Sequence, residues 1–306
     1  MPSENPFISF AQNGEDVLLH RALGAIESGT YVEIGANHPE HLSVTKSFYD
    51  RGWSGLAVEP NPEYSSLFRA ARPRDTVIEA AITDSPDPTV TFHLVEGTGL
   101  STLVDEISEE HAHSGYRVKD VTARALRLDA AIEEANLGGG DIHFLLVDVE
   151  GAEDQVLRSI DFSRYRPWVL VIESTEPGNT TPTHAAWEDI VLNANYEFCL
   201  FDGLSRYYVA REKSAEYRQK LSYPVCIFDN FITVEDVRAR DELAAARAEA
   251  ERLGAELGTA RSELDDERRA REDERRALQG EIDATRSTLS WKLTKPLRWF
   301  RKIGSR

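Results

Sequence analysis

The sequence has little cysteine, no long apolar run and fewer basic than acidic residues, 35 against 53. Its two cysteines, Cys199 and Cys226, form no C-x-x-C and lie in apolar surroundings, so we expect reduced core residues of a cytosolic protein. Residues 1–12 lack the basic and apolar regions of a secretory signal, and no stretch approaches the ~18 apolar residues of a membrane span. A net charge of −18 argues against a nucleic-acid substrate, since phosphate binding needs a basic face.

The sequence also lacks the G-x-G-x-x-G loop with which backbone amides meet a dinucleotide pyrophosphate. In its place, an apolar strand at 30–34 leads into Gly35, Ala36 and Asn37, in a pattern Glu-x-Gly-x-Asn that starts at Glu33. One glycine preceded by an acid suits a pyrophosphate poorly. It suits a ligand with a ribose, a zwitterionic amino-acid end and a positive centre, which describes S-adenosylmethionine.

A second short strand, 55–58, ends in Glu59 and Pro60. Glu59 follows Gly35 at close to the ~20-residue spacing at which an acid at the second strand tip reaches a ribose hydroxyl. If Gly35 is considered alone, the alternative is a turn after a strand that binds no ligand. The combination of Gly35 with Glu59 favours a ligand site.

Strands alternate with helices along the chain and a hairpin follows, which predicts a doubly wound α/β sheet with one antiparallel strand. Predicted helices cover 13–26, 43–51, 62–71, 128–135, 152–160 and 184–193. Predicted strands cover 30–34, 55–58, 76–82, 90–95, 121–126, 142–148, 168–173, 196–201 and 207–210. We interpret 97–102 as a flexible candidate lid, 106–116 as polar and irregular, and His111 and His113 as exposed.

From about Val234 the composition shifts to Ala, Glu and Arg, and apolar residues recur at heptad spacing, at Leu243, Ala250, Leu257 and Leu264. A dimerising coiled coil and a long solvated helix are both consistent with this pattern. The predicted domains are therefore 1–233, a charged helix at 234–289 and a basic, aromatic tail at 290–306. The tail suits an anionic membrane surface or a partner protein, and docking on the acidic surface of the protein itself is the alternative.

Several of these stretches match one family. Residues ~8 to ~232 resemble the FkbM-type S-adenosylmethionine-dependent methyltransferases. The matching stretches are QNGED (12–16), VEIGAN (32–37), RGWSG (51–55), VEP (58–60), GLST (99–102) and, most specific, DVEGAE (148–153). The turn at 201–207 resembles a branch associated with bacterial polysaccharide and glycan genes.

The resemblance implies a Rossmann-like, class I methyltransferase fold with a mostly parallel seven-stranded sheet. It also implies a cofactor site at its first two strand tips and Asp148 facing the transferred methyl. The resemblance implies Glu33, Gly35, Asn37 and Glu59 as cofactor residues, and we predict that their neighbours Ala36 and Pro60 belong to the same site. Two positions depart from the family: Leu146 stands where a lysine is usual, and Ser205 replaces the asparagine of the turn.

O-Methylation needs alignment and a group that accepts the hydroxyl proton. Asp148, Glu173 and His184 are the predicted catalytic residues, although a structural or exposed role suits His184 equally. We interpret Glu150, beside Gly151, as a helix-terminus anchor. Acids at neighbouring strand tips could also hold Mg2+, but we assign no metal.

The sequence thus predicts a cytoplasmic S-adenosylmethionine-dependent O-methyltransferase that acts on a sugar hydroxyl of a glycan, polysaccharide or glycolipid precursor. The tail would provide peripheral contact with the inner face of a membrane or with a glycosyltransferase, and the charged helix a homodimer contact. The alternatives are methylation of a small natural product, and a non-catalytic coiled-coil interaction protein with a degenerate methyltransferase domain.

Overall fold

The computed structural model describes residues 6–294. The chain divides into two compact units, Met1–Asp236 and Val237–Arg306. The apolar and basic segment after Pro296, on which the membrane prediction depends, lies outside the described residues.

The first unit is built on a seven-stranded sheet with the order β10-β11-β9-β8-β2-β3-β4. Its strands are β2 (Thr30–Ile34), β3 (Ser54–Val58), β4 (Thr76–Ile78), β8 (Phe144–Val147), β9 (Val169–Glu173), β10 (Tyr196–Phe201) and β11 (Ser205–Ala210). Neighbouring strands from β9 to β4 pair in parallel, whereas β11 lies antiparallel between β9 and β10. The strand order reverses between β2 and β8, and ligands of open α/β sheets bind at such a point, outside the carboxyl ends of the strands.

Helices cover both faces of this sheet. In chain order they are α1 (Glu15–Leu23), α2 (Lys46–Asp50), α3 (Pro62–Ala71), α4 (Asp105–His113), α5 (Leu128–Glu134), α6 (Glu153–Arg158), α7 (Glu188–Asn193) and α8 (Ser214–Tyr217). Side chains of α5, α6 and α7 join one buried cluster with Leu145 and Val147 of β8, and those of α1, α2 and α8 join another with Phe144 and Leu146. Because β8 is buried on both faces, it is apolar at every position. The predicted mixed α/β fold with a large, mostly parallel sheet is confirmed.

Two smaller sheets complete this unit. β5 (Ala81–Ile82), β7 (Val118–Leu126) and β6 (Thr89–Val95) form one, and β1 (Phe7–Ser9) pairs in parallel with β12 (Phe231–Thr233) in the other. The single strand predicted at 76–82 is wrong, because the chain leaves the large sheet at the exposed Glu79 and the buried Ala80 and enters a different sheet as β5. Neither glycine nor proline marks this break, so the sequence does not reveal it.

Three smaller expectations are also wrong. Residues 106–116, expected to be irregular, contain the helix α4, which buries Ser108 and His111 three residues apart on one face. His111 is therefore buried, while His113 is exposed as expected. Cys199 and Cys226 are free as expected, but they are half-buried and not fully within the core.

The second unit consists largely of α9 (Val234–Ser287), a single helix of 54 residues, followed by the short α10 (Leu289–Leu293). The long C-terminal helix is thus confirmed. Its heptad residues Leu243, Leu257 and Leu264 are exposed within this single chain. Among the described residues, no helix is both long and apolar enough to cross a membrane.

Candidate functional site

Two adjoining cavities open at the carboxyl ends of the central strands. The β3-side cavity lies against Val58, Glu59 and Pro60, and the β9-side cavity lies against Glu173 and the segment that follows it. The residues that line both cavities are Gly35, Asn37, Tyr64, Thr98, Gly99, Asp148 and Glu150. The two cavities therefore form one crevice at the point where the strand order reverses.

Gly35 sets the floor of this crevice. Its φ of 80° lies in the left-handed region, and a Cβ there would lie 1.8 Å from the carbonyl oxygen of Asp148. The Gly35 N–H donates to the Val58 carbonyl at 3.0 Å, and the Asp148 N–H donates to the Ile34 carbonyl at 3.1 Å. Only glycine permits β2, β3 and the end of β8 to meet this closely.

Glu59 lines the β3-side cavity and holds the turn after β2. Its two carboxylate oxygens accept hydrogen bonds from the backbone N–H groups of Asn37 and Asn61, each at 2.7 Å. Burial raises the pKa of Glu59 to about 7, although these two hydrogen bonds act in the opposite direction. A carboxylate has about four lone-pair sites, so each oxygen can still accept a ligand hydroxyl.

Glu33 and Ala36 do not line either of these cavities. The Glu33 carboxylate accepts from the Thr45 hydroxyl at 2.6 Å, and the same hydroxyl accepts from the Arg72 guanidinium at 2.6 Å. Burial raises the pKa of Glu33 to about 7, and the Arg72 charge opposes that rise. Glu33 thus supports the turn from beneath, and its direct contact with a cofactor stays a prediction.

Three carboxylates converge where β8 and β9 end. Asp148, Glu150 and Glu173 each offer an oxygen within 4.8 Å of the others. Glu173 is buried, and Asp148 lies deep in the crevice, where solvent reaches it only through the opening. Burial raises the pKa of Glu150 to about 9, with the Asp148 charge next in importance, and one of its carboxylate oxygens has no hydrogen-bond partner. No lysine or arginine lines either cavity among the described residues, so a bound cation has no competitor there.

Asp148 and Glu173 share a hydrogen bond. Burial raises the pKa of both groups, but the bond lowers that of Asp148 and raises that of Glu173. This asymmetry favours Asp148 as the ionised member of the pair and Glu173 as the protonated one. Oxygen ligands of this kind also suit Mg2+, so these three side chains are the residues that could hold a metal.

The interpretation of Glu150 as a helix-terminus anchor is wrong. Glu153 has that role, because its carboxylate accepts from the Gly151 N–H at 3.1 Å and lies 3.4 Å from the Val149 nitrogen. Glu150 itself adopts φ 50° just before Gly151, and its side chain joins the carboxylate cluster. The sequence contained one sign of this role. Glu150 lies two residues beyond Asp148, and in a strand such residues point to the same side of the sheet.

The structure does not bring His184 into the crevice. It opens the 3-10 turn His184–Ala186, its Nε2 lies 3.8 Å from a Glu188 carboxylate oxygen, and it lines neither cavity. Its catalytic role stays a prediction. The loop at 97–102 does border the crevice, where the Tyr64 hydroxyl lies 3.4 Å from the Thr98 carbonyl.

Sequence reasoning missed several polar residues of the β9-side cavity. Gln12, His38, His41, Glu176 and Asn179 all line it. Most lie in loops with no regular spacing relative to the strand tips, so only the fold reveals their proximity. Gln12 alone lies in a stretch already matched to the family.

The sheet is mostly parallel, and its acidic crevice lies at the switch point of the strand order, where open α/β sheets bind their ligands. A family model, the methyltransferase FkbM domain, matches residues 33–198, more than half of the chain. The chain belongs to this family, which suggests a methyltransferase. A comparison with curated proteins finds no match.

Proposed function

We propose that the protein is an S-adenosylmethionine-dependent O-methyltransferase that methylates a sugar hydroxyl of a glycan or glycan precursor. The observation that carries this proposal is the acidic crevice, which has Asp148, Glu150 and Glu173 at its centre and no lysine or arginine in its lining among the described residues. The order of the seven strands, with β11 alone reversed, supports a doubly wound, Rossmann-like fold of the class I methyltransferase type.

The negative charge of the crevice supports S-adenosylmethionine as the methyl donor. S-Adenosylmethionine supplies, when bound, a methyl group on a sulfonium, and the thioether that departs is neutral. A cluster of carboxylates favours a cation and opposes a phosphate. Glu59 offers oxygens to ribose hydroxyls at the tip of β3, and Pro60 and Tyr64 line the same cavity.

The Asp148–Glu173 pair supports a hydroxyl group as the methyl acceptor. Asp148 holds the ionised position and faces the crevice, so it accepts the proton of the attacking hydroxyl as the new C–O bond forms. Glu173 donates to Asp148 and fixes its orientation. Polar groups of Gln12, His38 and Asn179 line the same cavity, as recognition of a hydroxyl-rich acceptor requires.

The experiment is incubation with a labelled methyl donor and a panel of neutral, amino, uronate and phosphorylated glycosides, followed by mass spectrometry. We expect label on an oxygen of a neutral or amino sugar. A protein that binds the cofactor in calorimetry and yet labels no glycoside would overturn the sugar assignment. A protein that does not bind the cofactor would be a scaffold.

Asp148→Asn tests the chemical step. The amide preserves the shape and removes most of the basicity, so kcat should fall by about 10²–10⁴-fold, the usual contribution of a general base. Asp189→Asn, at an exposed acid of α7, is the matched control. Full turnover in Asp148→Asn would reassign the base to Glu173.

The same assay tests the assignment of no metal. A chelator should leave turnover unchanged, because the proposed chemistry needs only the carboxylates. Complete loss of activity that Mg2+ restores would instead assign Asp148, Glu150 and Glu173 to a divalent cation.

A further inference from the structure

A third cavity lies beside the β9-side cavity and has no part in the proposed methyl transfer. Its walls come from α4, the start of α6, the segment 176–179 and Trp187. Glu176, Pro177 and Asn179 line both this cavity and the β9-side cavity. We propose that the third cavity binds a second sugar ring of the acceptor, so that the substrate is an oligosaccharide and not a free monosaccharide. This inference rests on the proposed function.

The walls of the third cavity contain buried polar atoms without partners. His111 is 8% exposed and Trp187 is 2% exposed, yet the His111 Nε2 and the Trp187 indole nitrogen have no hydrogen bond. The Thr183 hydroxyl in the same wall also lacks a partner. Buried polar groups in folded proteins are nearly always hydrogen-bonded, so three such groups around one cavity point to a ligand with hydroxyl groups. By contrast, His113, on the same helix but outside the cavity, is paired with the Glu109 carbonyl at 2.7 Å.

The charges of the third cavity decide which sugars fit. Its acidic lining residues are Glu106, Glu110, Glu153, Asp154 and Glu176. No lysine or arginine lines it within the described part of the chain. Sugar hydroxyls and amines donate to carboxylates, whereas a phosphate or a uronate would be repelled. The expected ring is therefore neutral or carries an amino group.

The segment between the two cavities has a defined shape. The Glu176 N–H donates to the Thr181 carbonyl at 2.9 Å, and the Thr183 N–H donates to the Ser174 carbonyl at 2.9 Å. The Asn179 amide holds the Glu176 carboxylate at 3.0 Å. This segment directly follows Glu173 at the end of β9. A ring beside Glu173 and a ring in the third cavity would thus lie on either side of one short segment, as neighbouring rings of a glycan chain would.

The test compares acceptors of different length. Neutral and amino methyl glycosides with one, two or three rings are assayed with the labelled donor, and kcat/KM is measured for each. We expect kcat/KM to rise at the second ring. Trp187→Phe and His111→Asn should lower the ratio of disaccharide to monosaccharide by about 5- to 10-fold, the size of one hydrogen bond. Because Trp187 lies in the core, Glu110→Ala at the exposed edge of the cavity provides a variant with no packing to lose.

Two neighbours on α4 are matched controls. Glu109→Ala and His113→Asn change exposed residues that do not line the third cavity, so the ratio should not change. Equal kcat/KM for one and two rings, or a length preference that all three cavity variants retain, would overturn the inference and leave the proposed function standing. No label on any glycoside would instead remove the proposed function itself.

Discussion

Glu59 shows how one side chain can serve both the fold and a ligand. Its carboxylate joins the turn after β2, through Asn37, to the first residues before α3, through Asn61. Asn61 in turn caps α3 by accepting from the Glu63 N–H at 3.0 Å. The position that suits a ribose is therefore held by backbone contacts before any ligand binds, which lowers the ordering cost of binding.

Glu59→Ala should weaken the binding of S-adenosylmethionine by about 1–3 kcal/mol, the usual range for hydrogen bonds to a charged group. Calorimetry measures the change, and circular dichroism checks that the variant is folded. Glu63→Ala, an exposed acid two residues into α3, controls for the loss of a nearby charge. Unchanged affinity in a folded Glu59→Ala protein would remove Glu59 from the site.

Buried acids, in the crevice and outside it, should make stability depend on pH. Burial raises the pKa of Glu15 to about 8, and those of Glu59 and Glu153 to about 7, above the ordinary value of 4.5. The folded state then binds more protons than the unfolded state between pH 4.5 and about 8, so the free energy of unfolding should fall as pH rises through this range.

Thermal melts at pH 6 and pH 8.5 test this prediction, and the melting temperature should be higher at pH 6. Glu15→Gln should reduce the difference, because the amide can keep the hydrogen bond from the Asn13 N–H without carrying a charge. Glu63→Gln should leave the difference in place. A melting temperature that rises with pH would show that these acids are ionised in the folded protein.

Single residues were predictable where one strand tip carried a strong local constraint. Gly35, Glu59 and Asp148 each stand at the end of an apolar strand, and all three line the crevice. Glu150 was assigned the wrong task because Glu150 and Glu153 both lie near the start of α6, and only the backbone turn decides which carboxylate accepts from the Gly151 N–H. The pairing of Glu173 with Asp148 could not be predicted, because it requires β9 to lie beside β8. A strand pattern does not specify which strands are neighbours.

At the scale of elements, the ends of the parallel strands β2 and β8 meet closely where Gly35 lies against the Asp148 carbonyl. Gly35→Ala should cost at least about 1–2 kcal/mol for its left-handed backbone alone, and the collision with the Asp148 carbonyl adds to that. We expect a lower melting temperature and loss of cofactor binding together. Gly139→Ala is the matched control, since a Cβ there meets nothing within 4 Å. Wild-type binding in Gly35→Ala would mean that this turn is not part of the donor site.

Elements were predicted best where both their ends carry local signals. The helix α3 begins at Pro62 after an asparagine cap and matches the predicted range. The strands β4 and β5 were merged because their boundary has no glycine or proline. The helix α4 was missed because its buried face is formed by a serine and a histidine, which hydrophobic periodicity does not register.

At the scale of the whole molecule, the exposed leucines of α9 remain the basis for a predicted homodimer. Full-length protein should sediment at twice the monomer mass of 34.3 kDa. The double variant Leu257→Ser and Leu264→Ser should return it to the monomer, because it removes two seam positions. Arg261→Ser, between them, is the control. A full-length monomer at tens of micromolar concentration would leave α9 as a solvated helix.

The pairing of β1 with β12 has a consequence for synthesis on the ribosome. The Phe7 N–H donates to the Asn230 carbonyl at 3.0 Å, and the Arg21 guanidinium binds the Asp229 carboxylate through two contacts of 2.7 Å. At the ~5–20 residues per second of translation, the partners of these early residues emerge roughly 10–45 s after them. The nascent chain must therefore keep its first strand and the partly buried Arg21 unpaired while the large sheet assembles. A chaperone that shields the emerging N-terminal segment would act within that interval.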